Sequence, residues 1–350
     1  MKLFNILFTL FGVVTVIFFL FQILPGDPAR MMMDQNEDAE QLEIIKKKYG
    51  FDEPILNQYL YYLNDLSIIS IHSKNPEKIN FIRENKYSYT KIYDFQNSTL
   101  VLKFPYLRES YQRRGVKVST IIMDTFPNTV VLAISSILFA TVFGLLLGIL
   151  SALYKETLFD NSIQLFSTFG MSMPSFLSSI IFAWIFGFVL ADITGLNMTG
   201  SLFELDDFGD EYRLELKNLI LPSIVLGIRP IAVISMMMRN SLIETLKKNY
   251  VITAYAKGLS KSKVILNHCL KNSLNPVITA LSGWFASLLA GSVFVEYIFG
   301  WNGLGREIVN SLNLLDVPVI IGAVIVVSFS FIMINIFVDY IYKFLDPRIS

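Results

Sequence analysis

The chain has 350 residues, of which 53% are hydrophobic and 17% charged, whereas a soluble domain carries roughly 25% charged residues. Mean hydropathy is +0.52, and 29 basic residues balance 29 acidic ones, so no net field recruits nucleic acid. One cysteine, Cys269, and two histidines, His72 and His268, exclude an internal disulfide and a His/Cys zinc site, which leaves a membrane protein with no metal or cofactor expected.

Five stretches free of Asp, Glu, Lys and Arg reach the roughly 20 residues that a bilayer crossing needs: Leu3–Leu24, Asn128–Tyr154, Asn161–Ala191, Asn272–Val295 and Val317–Val338. A sixth, Leu219–Met238, is interrupted by Arg229 alone. These runs are apolar on every face, as lipid requires. The first exceeds the usual signal-peptide core of about 7–15 residues and has no small-x-small cleavage site after it, so it reads as a retained helix. In the third, Gly170 and Pro174 are expected to delay the helix start.

The loops orient the chain. From Arg239 to Lys271 there are seven Lys/Arg and one acid, Glu244; from Asp192 to Lys217 there are seven acids against Arg213 and Lys217. The positive-inside rule makes the first loop cytoplasmic and the second external. An even number of spans then puts both termini in the cytoplasm. The segment Pro25–Lys117 is external; it exceeds the roughly 60 residues over which lysine counts orient a loop.

That external segment carries eleven aromatics between Tyr59 and Tyr111, too many for a disordered tail, and predicts a small folded cap. Glu40–Lys48 reads as a helix, and Ser98–Phe104 as a strand because Leu100, Leu102 and Phe104 alternate. In the cytoplasmic loop, Leu242, Leu246, Tyr250 and Ala254 recur every four residues and predict one apolar helical stripe. Gly258 should end that helix, and Ser260 should cap a second one through Val264, Ile265, Cys269 and Leu270, stopping before Pro276. Such a basic helix pair fits a cytoplasmic partner or an anionic lipid surface equally well.

The loop from Tyr250 to Ser260, continuing through Lys271 to Pro276, resembles the EAA-type coupling loop of ABC-transporter permeases. Within them it resembles the B-type permease of the oligopeptide/dipeptide/nickel importers. The family's glutamate is absent, with Ile252 and Thr253 where it would fall. Further matches run in order along the chain: Leu24 to Pro28, Tyr49 to Pro54, Gln58 to Leu60, Pro127 to Thr129, Met173 to Phe176, Glu296 to Phe299, Gly303 to Gly305, and Asn335, Asp339 and Asp346 to Arg348. The similarity covers about residues 1–63 and 107–350, so about 64–105 reads as an insertion.

The resemblance implies an all-α polytopic membrane protein of six transmembrane helices with a small external insertion domain, α+β in character, between helices 1 and 2. Residues 1–24 form helix 1, 25–120 the external segment and 121–346 helices 2–6, with the coupling loop over about 242–275. It implies an importer permease of the bacterial cytoplasmic (inner) membrane, forming half of a pathway for peptides, a nickel chelate, an opine or glutathione. Its implied partners are a second, C-type permease, two ATPase subunits and an external solute-binding protein, besides membrane lipid. Thr253, Ala254, Lys257, Gly258, Leu259 and Ser260 would form the ATPase-coupling site, with Ala254 small to let the partner approach. No G-x-x-x-x-G-K-[ST] loop is present, so ATP hydrolysis falls to the partners.

Arg229 is the candidate pathway residue, because a mid-bilayer arginine has to face protein or water. A gate ion pair, a structural pair with Asp339 and a position nearer an interface are the other readings. Met31–Met33 and Met236–Met238 read as packing, and Asp27 and Glu296 as cap or turn residues. No catalytic constellation is present. A receptor with an external ligand-binding cap is the rival function; a secondary transporter would need inverted repeats and broken helices, which the sequence does not display. Labels introduced after Asn64, Asp207 and Asn313 should report outside and a label after Lys247 inside; an inside signal at Asp207 contradicts this topology.

Overall fold

Apolar runs without turn residues become helices here, because a backbone in lipid must satisfy its own hydrogen bonds. The computed structural model describes residues 2–23, 27–33, 39–76, 78–82, 87–206 and 209–345. Residues 24–26, Asp207 and 346–348, singled out above, lie outside them, as do the side chains of Met31 and Asp339.

In chain order, helices α1 (Lys2–Ile23), α2 (Pro28–Met31), α3 (Ala39–Tyr49) and α4 (Ile55–Leu66) precede strands β1 (Ile69–Ser73), β2 (Tyr89–Asp94) and β3 (Ser98–Lys103). Then follow α5 (Val118–Leu153), α6 (Leu158–Ser172), α7 (Ser175–Trp184) with a π-helical turn over Ile185–Val189, and α8 (Ala191–Thr194). A hairpin of β4 (Phe203–Leu205) and β5 (Tyr212–Leu214) leads to α9 (Ile220–Leu246) and α10 (Asn249–Ala256). The chain ends with α11 (Lys261–Val264), a π turn over Ile265–Cys269, α12 (Leu270–Ser273), α13 (Asn275–Gly291), α14 (Val293–Phe299), α15 (Leu304–Asn313) and α16 (Val317–Leu345).

The fold is a mostly helical membrane fold. By length and apolarity Val118–Leu153, Leu216–Leu246 and Val317–Val338 can each cross a bilayer, and two bent pairs bring the number to five if each crosses once. The apolar part of α1, Ile6–Gln22, is shorter. The third expected span is a correction: α6 and α7 meet at 108° rather than forming one rod. Pro174 lacks the donor a continuous helix would need and biases Met173 to the extended conformation it adopts, φ −72°, ψ 129°. The helix expected over Glu40–Lys48 is α3 and the strand over Ser98–Phe104 is β3, but β1, β2, β4 and β5 had not been foreseen.

Contacts divide the chain into two units, Met1–Asp124 with Ile308–Val326 and Thr125–Glu307 with Val327–Ser350. In the first, Val14 and Phe18 of α1 pack with Tyr59 and Tyr62 of α4 and Ile321 of α16, and the Thr15 and Tyr59 hydroxyls lie 2.6 Å apart. The sheet order is β1-β3-β2, antiparallel throughout, with Ile71 opposite Leu100. Asp65 ties this sheet to α4. It accepts from Arg108 at 2.9 Å and from the Tyr87 hydroxyl at 2.9 Å, while its carbonyl accepts from Lys103. Burial, then the adjacent Asp65 carboxylate, pushes the Tyr87 hydroxyl above its usual range, so it stays a neutral donor. Asp27 accepts from the Ala29 amide at 3.0 Å and caps α2, the cap role read from the sequence.

In the second unit α9 is the central rod. Ile234, Met238 and Leu242 are fully buried on it. Gly144 and Gly148 of α5 let that helix approach: a Cβ at Gly148 would lie 2.6 Å from the Ser235 carbonyl oxygen, and one at Gly144 2.8 Å from Ile234. This is the small-residue spacing of close membrane-helix packing. At another end of the unit Glu296, fully buried, accepts from Ser292 at 2.7 Å and from the Gly305 and Arg306 amides at 2.6 and 3.2 Å. It satisfies the free N–H groups at the start of α15, which is the cap or turn role expected of it.

Candidate functional site

The loop between α9 and α13 is built around one glycine. Helix α10 ends with Lys257 as its cap, and Gly258 takes φ +81°, a left-handed conformation that costs other residues about 1 kcal/mol or more. The Gly258 amide donates to the Tyr255 carbonyl at 2.9 Å and the Leu259 amide to the Ala254 carbonyl at 3.3 Å. Those two reversed bonds form a Schellman motif, and Leu259 supplies its hydrophobic contact by packing on the core of Leu242, Val251, Ala254 and Val264.

Ser260 is the residue before α11, but its hydroxyl makes no capping bond, so only its position matches expectation. The second helical run continues as foreseen to Ser273, with a π turn over Ile265–Cys269 inside it. That extra residue per turn keeps both Val264 and Cys269 buried.

The expected four-residue stripe needs correction. α9 stops at Leu246, so the stripe is cut at Lys247–Lys248. Leu242 and Ala254 are buried, but Tyr250 is 40% exposed and Val251 takes the inward place. Ala254, expected to face a partner, is packed inside this chain. The outward face of α10 and α11 holds Ile252, Thr253, Tyr255, Lys257, Lys261 and Lys263. Ile252 is 58% exposed and Leu266 nearby 63%. Exposed lysines, Lys257, Lys261 and Lys263, share this face with them.

One group near this loop was missed by sequence reasoning. Asp160, at the start of α6, is fully buried. It accepts from Arg239 Nε at 2.7 Å and Nη2 at 2.6 Å, from Ser151 at 2.5 Å, from the Glu156 amide at 2.9 Å and from Gln164 at 3.1 Å. The carboxylate therefore joins the end of α5, the start of α6 and the last turns of α9. The available signal was an acid inside an apolar run, Leu158-Phe159-Asp160, together with a base at the end of another run.

Arg229 sits on α9 with its side chain exposed. It lines a cavity of about 60 Å³ at the α6–α7 elbow, with Ser175, Ser178, Trp284 and Ser287. Among the described residues it has no ion-pair or hydrogen-bond partner. Facing lipid at mid-bilayer would cost about 2.5–3.5 kcal/mol or more. The cavity offers it three serines in an otherwise apolar lining.

A family model described as "Binding-protein-dependent transport system inner membrane component" matches residues 144–350. The chain belongs to that permease family. Residues 1–80 match a second model, "Binding-prot-dependent transport system membrane comp, N-term". The permease is 33% identical to the di/tripeptide transport system permease protein DppB of Pseudomonas aeruginosa, over 97% of this chain and 95% of that one. It is 30% identical to the dipeptide permease protein DppB of Alkalihalophilus pseudofirmus, over 97% and 95%. It is 30% identical to the glutathione permease protein GsiC of Escherichia coli, over 99% and 97%. A solved inward-facing structure of the MetNI methionine ABC transporter aligns with TM-score 0.53 at 15% identity, over 65% of this chain and 97% of that one, and shares its fold. The family resemblance read from the loop motifs is thereby shown: this is a multi-pass inner-membrane permease of the ABC importer kind, a transporter subunit and not a catalyst.

Removing one partner of a buried ion pair costs about 3–5 kcal/mol. Arg239→Gln should therefore lower the thermal midpoint of the detergent-purified permease, and Arg239→Lys should lower it less. Equal midpoints for wild type and Arg239→Gln would mean the pair contributes nothing to the fold.

Proposed function

We propose that this permease forms half of a translocation pathway for di- or tripeptides or a similar small peptide such as glutathione, the solutes in its relatives' names. It spans the membrane six times with both termini in the cytoplasm, counting α1 and each bent pair once. A C-type permease completes the pathway, two separate ATPase subunits hydrolyse ATP and an external binding protein delivers the solute. The first unit's sheet, about residues 64–105, is taken as an external insertion that contacts the binding protein rather than the solute; its residues 81–105 lie outside both family models, whereas β1 falls within the match to residues 1–80.

The observation that carries the reading is the exposed face of α10 and α11 held by the Gly258 turn. Thr253, Lys257 and Gly258 lie on its open side, Ser260 starts the second helix, and Ala254 and Leu259 pin the pair from behind. An ATPase subunit docks on Ile252, Tyr255 and Leu266, and α9 carries its movement inward as a rigid-body transition. Lysines with apolar residues among them also suit an anionic lipid surface; membership of the permease family favours the ATPase.

Gly258→Leu tests this. At φ +81° the change strains the backbone, and because nothing lies within 4 Å of a Cβ built there the new side chain enters open space rather than the core. The protein should insert and bind the second permease normally. Co-purification of the ATPase subunits, or ATP-driven uptake, should fall at least tenfold, while Lys257→Ala stays within about twofold of wild type. Wild-type levels of both in Gly258→Leu would transfer the loop to the lipid surface.

A further inference from the structure

We propose that the cavity at the α6–α7 elbow is an anion subsite in which Arg229 holds the carboxylate of the solute as it crosses; this rests on the permease reading. The same helix carries two arginines treated in opposite ways. Arg239 is held by both oxygens of Asp160, whereas Arg229, deeper in the apolar run, has no partner among the described residues. Among the described residues no negative charge answers this guanidinium.

Its surroundings suit an anion. The lining contains no acid. The hydroxyls of Ser175 and Ser287 also lack hydrogen-bond partners among the described residues, while Ser178 is bonded to the Pro174 carbonyl at 3.3 Å. Gly291 leaves open space, since a Cβ there would meet nothing within 4 Å, and Trp284 gives the cavity an apolar wall. The elbow that opens it exists because α6 and α7 meet at 108° at Pro174. α7 starts at this point with no side-chain cap, which adds to the same sign of field.

A cavity of about 60 Å³ has room on the order of four waters. That accommodates a carboxylate and its hydration, not a whole peptide. Arginine binds a carboxylate through two parallel N–H···O bonds, and the serine hydroxyls can serve the remaining lone pairs. The subsite thus reads the charged end of the solute and leaves the side chains unread, which suits a pathway that passes many peptides.

The test uses the reconstituted full transporter. A tripeptide and its C-terminal amide are each presented already bound to the binding protein, so its own selectivity drops out. Arg229→Gln should slow uptake of the free acid at least tenfold relative to wild type and change uptake of the amide less than twofold. Arg229→Lys, which keeps the charge without the planar fork, should slow the free acid about threefold and spare the amide. Equal slowing of both solutes by either variant would make Arg229 a gate or structural cation instead, and no slowing of either would remove it from the pathway. If the wild-type complex shows no ATP-driven uptake of any peptide, the permease reading itself fails, a result distinct from the other two.

Discussion

A buried charge is tolerated only where an opposite charge and hydrogen bonds answer it, and the Asp160–Arg239 pair, at the ends of the apolar runs, is where this permease meets that requirement most completely. Five donors converge on one buried carboxylate. Because they come from α5, the following turn, α6 and α9, none of these segments can shift alone without exposing a charge. The pair sits within two turns of the end of α9, so it braces the end from which α10 and α11 follow.

In the proposed coupling α9 is the lever. Its inner face is Ile234, Met238 and Leu242, pressed against the glycines of α5. Arg229 and Arg239 lie ten positions apart on it, about 15 Å along the axis. In the proposed coupling, a push on α10 reaches a helix locked by Asp160 at its near end, with the elbow cavity farther along it. Close packing makes such an element move as a body rather than deform, as the proposed link between loop and cavity requires.

Much of this was legible in the residues. Apolar runs announce helices regardless of context, and Gly258 announced its turn because only glycine takes φ +81° without strain. Other features depend on partners distant in sequence. Asp160 and Arg239 are 79 positions apart; each is a charge beside an apolar run, but nothing local to either says that the two meet. β1 escaped notice because Ser70, His72 and Ser73, its buried residues, are polar and break the alternation that revealed β3. The elbow at Pro174 was suspected as a delayed helix start, but a 108° bend depends on what α7 packs against, and the run of apolar residues hides it. Tyr250 was misplaced for a similar reason: a four-residue period is only informative while the helix continues, and two lysines end it.

The claim that the outward face of α10 docks the ATPase can be measured directly by photo-cross-linking within the assembled transporter. A photoreactive residue at Ile252 or Lys257 should form adducts with an ATPase subunit, and one at the buried Val251 should not. Adducts to lipid alone from Ile252 and Lys257, with none to any ATPase subunit, would contradict the account.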